Sequence, residues 1–222
     1  MLEVIKEQKM SVTAELRKLF ETELHNYLKA NLVCASNIKC LKKEISIKKT
    51  KDNEASGYIC FDFLNNARGY CLCTSVDSPE LIDFFNKVNP PYSSKLPEGI
   101  VYAMNTLMEG SFKSFAPNFG GTVDLPRNEE ERKKACEWVY TKVRDIYLPR
   151  AINLIELKPE TVNDIILFPN YYAYPFLIIL YLIKKHNMSL SDKDMESVFS
   201  KRKRILGNKS FDKQLLDTYL SE

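Results

Sequence analysis

Six cysteines and only two histidines limit the side-chain chemistry open to this chain. Cys71 and Cys73 are two apart in an apolar run, so as a strand they share one face. With no secretion signal and no framework spacing, they and Cys34, Cys40, Cys60 and Cys136 read as reduced, structural thiols that behave as small apolar groups. No Cys-x-x-Cys pair, HExxH or calcium-loop pattern occurs, so no metal and no cofactor is expected. Triad chemistry needs an imidazole beside a nucleophile. His25 and His186 fall on separate expected helices, and His186 reads as a partner for the last carbonyls of its own helix. No phosphate-binding glycine loop and no GxSxG elbow is present. No catalytic residue is therefore assigned, and an enzyme, such as a hydrolase without a familiar motif, is an alternative only.

Charged and aromatic residues offer more to a binding function. Asp62 shares a strand face with Tyr58 and Cys60 and reads as solvated or partly enclosed. Lys39 to Lys51 holds six lysines, and Lys201-Arg202-Lys203-Arg204 continues into Lys209 and Lys213. Such clusters can grip phosphates, which makes nucleic acid a second reading. The total of 32 basic against 29 acidic residues, a net charge of +3, is too balanced for a dedicated nucleic-acid binder. The stretch Pro90 to Gly121 is rich in proline, glycine and aromatics, the composition of a recognition loop. Tyr92, Phe112, Phe115 and Phe119 are its candidate partner contacts, and Glu129, Glu130 and Glu131 a candidate charged border. Core packing of the phenylalanines and helix-start acids are the plainer alternatives.

The elements that must position these residues follow from periodicity. Leu16, Leu19, Phe20, Leu24, Tyr27 and Leu28 recur at helical spacing behind a cap on Ser11 or Thr13. Residues 1–10 are expected to be poorly ordered, and 11–222 to form one domain. From Leu41 the period is two: Leu41, Ile45 and Ile47 alternate with charged residues. Tyr58 to Leu64 and Tyr70 to Val76 complete a three-stranded antiparallel meander over 41–76, with turns at 50–57 and 65–69. Ser78-Pro79-Glu80 opens a helix that Asn89-Pro90-Pro91 closes. Ile100 to Met108 is readable as helix or strand, with helix favoured, and Thr122 to Leu125 as a short fourth strand. A long helix starts at Asn128 and should end or kink at Pro149. Helices are further expected over 171–185, 191–206 and 210–220, separated by Gly207-Asn208 at the last break. The fold class is thus α+β, a small antiparallel three- to four-stranded meander packed with a mostly helical C-terminal half (residues 128–222). Leu16, Phe20, Phe61, Phe63, Trp138, Val143, Phe176 and Ile179 are the expected core.

Composition agrees with a folded, soluble chain: 45% hydrophobic and 27% charged residues over 222 positions. Ile165 to Ile183 is the most apolar stretch, but Pro169, Asn170 and Pro175 interrupt it. Phe176 to Ile183 is too short to span a bilayer and reads as a core helix. An acidic residue at position 3 and the lack of a long apolar run exclude an ordinary signal peptide, so a cytoplasmic location is expected.

The leading helix, the meander carrying Tyr70-Cys71-Leu72-Cys73-Thr74, the segment Asp164 to Pro175 and the helical second half together resemble bacterial immunity proteins, which neutralise toxins exchanged between competing cells. The resemblance is one of plan over residues 11–190, and it carries no residue role across. It implies a cytoplasmic, non-enzymatic protein whose partner is a cognate toxin encoded by a neighbouring gene, with no membrane involved.

Overall fold

The computed structural model describes residues 2–32, 37–48, 55–108, 121–189, 191–200, 202 and 204–221. The fold is α+β. Among the described residues the strands are β1 (Ile38–Cys40), β2 (Glu44–Lys48), β3 (Ser56–Leu64), β4 (Gly69–Asp77), β5 (Ile100–Asn105) and β6 (Val123–Asp124). They form one antiparallel sheet in the order β1-β2-β3-β4-β5, with β6 paired to β4 through Gly69 opposite Asp124 and Tyr70 opposite Val123. The helices are α1 (Leu2–Asn31), α2 (Pro79–Val88), α3 (Glu129–Lys142), α4 (Leu148–Ile155), α5 (Thr161–Leu167), α6 (Pro175–His186), α7 (Asp192–Phe199) and α8 (Lys209–Ser221). The chain divides into two compact units, residues 1–46, 58–73 and 104–148 in one, and 47–57, 74–103 and 149–222 in the other.

In the first unit α1 lies against α3 and β1. The Phe20 ring meets Tyr70 edge-on at 5.2 Å, and Tyr70 meets Phe63 at 5.1 Å. Tyr27 and Tyr140 join α1 to α3 in the same way, and Arg132 Nε reaches Glu23 at 2.7 Å. The second unit is built around α6. Phe176 to Leu180, Leu182 and Ile183 are all buried, so the first two turns of this helix are apolar all round, and α2, α5 and α8 pack against it. No helix among the described residues is long and apolar enough to cross a membrane.

Several expectations need correction. α1 begins at Leu2, not behind a cap at Ser11 or Thr13. Residues 3–10 contain no glycine or proline, so nothing in them stops the helix from extending backwards. Leu41 is exposed, because the chain bends between β1 and β2 and Leu41 N donates to Glu44 O; only Ile45 and Ile47 of that set are buried. Ile100–Asn105 is a strand, not a helix. Ile-Val-Tyr favours extended backbone, and Leu72 bonds the residue after this strand in both directions, through Thr106 N and Thr106 Oγ1. Pro149 does not stop the helical chain. A π-helical turn, Val143–Tyr147, precedes it, and Leu148 N donates to Val143 O. Pro149 then falls in the first turn of α4, where its missing N–H costs little. α7 ends at Phe199, well short of Leu206. Of the expected core, Phe20, Val143, Phe176 and Ile179 are buried, whereas Leu16, Phe61, Phe63 and Trp138 are half-buried.

Candidate functional site

Two constellations stand out, one in each unit. The first lies on the β3–β4 hairpin. Ser56 N and Oγ both donate to Asp77 Oδ1, at 3.0 and 2.7 Å, and the Phe63 and Tyr70 rings touch. Both pairs belong to one antiparallel register, which sets Cys60 opposite Cys73 and Asp62 opposite Cys71. Side chains alternate along a strand. Phe61, Phe63, Tyr70 and Leu72 therefore face α1, and Cys60, Asp62, Cys71 and Cys73 share the other face.

The atoms on that face are close. Cys71 Sγ is 3.6 Å from Cys73 Sγ, and the Cys60 thiol donates to Asp62 Oδ2 at 3.6 Å. Cys60 Sγ, Cys73 Sγ and a carboxylate oxygen of Asp62 all lie within 4.8 Å of one another. The Thr106 hydroxyl donates to Cys71 Sγ at 3.5 Å. The shared hydrogen bonds split the thiols. Donation from Cys73, helped by Thr106, holds Cys71 down to about 6 against the cost of burial. The same donation lowers Cys60, with burial and the Asp62 charge opposing. Cys73 is pushed up, its hydrogen bonds with Cys60 and Cys71 being the largest causes and burial the next. Cys71 is buried, Cys60 and Cys73 are half-buried, and Asp62 is exposed. The arrangement can hold a soft cation or give up a proton from one thiol while its neighbour keeps one.

The second constellation is an aromatic corner after α5. Leu167 is 60% exposed and Phe168 38%. Phe168 stacks on Tyr171 at 5.7 Å with the ring planes 12° apart, and the Arg150 guanidinium lies 4.3 Å over Phe168. Arg150 Nε is fixed by Asp164 Oδ1 at 3.0 Å. Asp164 Oδ2 also accepts from the Tyr172 hydroxyl at 2.5 Å. Burial, then the neighbouring Asp164 charge, raises Tyr172 and keeps it a donor. Tyr172 is anchored in turn by its bridge to Tyr102 and by Ala173 N donating to Val101 O at 3.0 Å. The exposed Phe168 ring thus stands on a fixed support.

No family model matches the chain, and no curated protein or solved structure matches it either. Of the sequence-derived partner contacts, Phe112, Phe115 and Phe119 lie outside the described residues. So does Cys34, along with much of the turn at 50–57 and part of both basic clusters. Tyr92 is half-buried: its hydroxyl donates to Asp212 Oδ1 at 2.7 Å, and its ring packs against Tyr174 and Phe211. Glu129, Glu130 and Glu131 are exposed in the first turn of α3. Glu129 pairs with Lys133 and Glu130 with Lys134, each at 2.7 Å, while Glu131 accepts from Arg127 N and Asn128. Lys43 reaches Glu21 at 3.6 Å, and Lys213 lies over the Phe199 ring. His25 Nδ1 meets Leu41 O at 3.1 Å. His186 Nε2 meets Leu157 O at 2.6 Å, a carbonyl beyond α4 rather than in its own helix.

Sequence reasoning missed Leu167, Phe168 and Arg150 as a surface. Residue type carried no signal for it, since Ile165 and Ile166 just upstream are equally apolar and are buried. It also missed that Cys60 and Asp62 face Cys71 and Cys73, which only the hairpin register reveals.

Proposed function

We propose that this chain is a non-enzymatic protein that binds another protein, and that it is an immunity protein neutralising a toxin encoded beside it. One observation carries the reading: Leu167 and Phe168 are exposed side by side, and Phe168 is held by Tyr171 and by an Arg150 that Asp164 fixes. Aromatic residues and arginine dominate interface energetics because they bury much area for little lost freedom. A site already held in its bound shape loses less entropy on association. The corner also falls inside Asp164 to Pro175, part of the resemblance to immunity proteins. His186 Nε2 contacts the Leu157 carbonyl, which gives that imidazole a structural task, whereas His25 Nδ1 lies against both the Leu41 carbonyl and, at 3.9 Å, the Cys40 thiol.

The test is co-expression with the product of the neighbouring gene in a host which that product kills. The wild-type chain should restore growth and co-purify with the product. Leu167→Asp, at a site 60% exposed, should remain folded and lose both effects. A harmless neighbour, or full rescue by Leu167→Asp, would overturn the reading.

A further inference from the structure

We propose that Cys60, Cys73 and Asp62 form a binding site for a thiophilic divalent cation, Zn²⁺, on the β3–β4 hairpin. The inference is independent of the partner-binding reading and belongs to a different unit of the chain.

The donor set is the first argument. Two thiolates and a carboxylate are a borderline-soft ligand combination suited to Zn²⁺. Geometry is the second. For a tetrahedral ion with Zn–S near 2.3 Å and Zn–O near 2.1 Å, a sulfur and an oxygen ligand stand about 3.6 Å apart and two sulfurs about 3.8 Å. Cys60 Sγ and Asp62 Oδ2 are 3.6 Å apart, and the three ligand atoms fit within 4.8 Å. Closing on an ion draws Cys73 toward the other two ligands by no more than about 1.2 Å. Rigidity is the third. All three ligands stand on regular strands, two of them directly opposed across a register that Ser56–Asp77 and Phe63–Tyr70 fix from both sides.

Binding breaks two S–H bonds, at Cys60 and Cys73, and forms two Zn–S bonds and one Zn–O bond. Two protons leave to solvent, and the site passes from a charge of −1 with the ion absent to −1 with it bound. The Thr106 hydroxyl bonds Cys71 outside this ligand set. Water completes the tetrahedron as the fourth ligand.

The experiment uses the full chain, reduced, with Cd²⁺ as a spectroscopic probe and Zn²⁺ as competitor. Thiolate-to-cadmium charge transfer should appear in the ultraviolet and saturate at one Cd²⁺ per chain, with release of two protons. Zn²⁺ should then bleach it. Cys73→Ser should abolish the band, and Cys136→Ser, at a buried thiol on α3, should leave it unchanged. Because Cys73 is half-buried, far-UV circular dichroism must show the variant folded. Asp62→Asn, at an exposed position, keeps the test sound if it is not. That variant should retain the band and weaken binding by no less than the roughly 10–100-fold typical of losing an outer-sphere partner. Absence of a saturable band in wild type, or unchanged binding in Asp62→Asn and in folded Cys73→Ser, would overturn the proposal.

Discussion

Asp212 shows how one buried charge shapes the second unit. Its carboxylate is 0% exposed and accepts from the Tyr92 hydroxyl, Gly207 N and Asn208 N. Loss of water raises its pKa above the usual 3.8, with those three donors opposing. A carboxyl raised on folding contributes most while protonated in both states. Its contribution is complete below about pH 3.8, the unfolded value, and is lost as pH rises through the higher folded value. Asp212→Asn removes that dependence. Urea unfolding at a series of pH values should therefore find wild type losing ground to Asp212→Asn as pH rises from this value. A flat difference, or one of opposite slope, would refute the assignment. Gly207 makes a second residue-scale prediction. A Cβ there would run into the Tyr92 ring. Gly207→Ala should cost about 1–3 kcal/mol as overpacking, read from the shift in denaturation midpoint.

At the scale of elements, α6 is the piece on which the second unit depends. Leu180 is 1% exposed in its middle, with Phe84 and Tyr181 meeting edge-on alongside. Leu180→Ala should cost about 2–5 kcal/mol by calorimetry or denaturant unfolding, the usual cost of a buried cavity. Leu180→Asp should yield insoluble protein, because it buries an unpaired carboxylate. This helix was legible in the sequence, since Phe176 to Ile183 is apolar without interruption. So were the hairpin strands and the α2 start, where Ser78 caps Leu81 N as its type and the following proline imply. β5 was not legible, because a short apolar run fits either period and only the β4 edge decides between them. The π turn before Pro149 was hidden for a similar reason: composition marks the proline, not the local rewinding that accommodates it. The thiol cluster was half legible. The chain shows that Cys71 and Cys73 share a face, but which residues oppose them depends on a register counted through the 65–68 turn. The aromatic corner was not legible, because exposure is a property of what packs around Leu167 and Phe168, not of their types.

For the whole molecule, the α+β fold carries one exposed corner, on which the proposed non-enzymatic binding role is centred. The charge balance of +3 fits a protein that meets a protein rather than a nucleic-acid backbone. Phe168→Ala should weaken binding to the proposed toxin partner by at least about tenfold, in line with a hot-spot aromatic, while leaving the unfolding midpoint close to wild type. Arg150→Ala should weaken it as well, by freeing the Phe168–Tyr171 stack, and should also lower stability because it leaves Asp164 with one donor fewer. Hydrogen exchange of the chain, alone and with the purified product of the neighbouring gene, addresses the central claim most directly. Slowed exchange centred on Asp164 to Tyr172 is expected when the two are mixed. Protection confined to other segments, or no protection at any concentration, would contradict it.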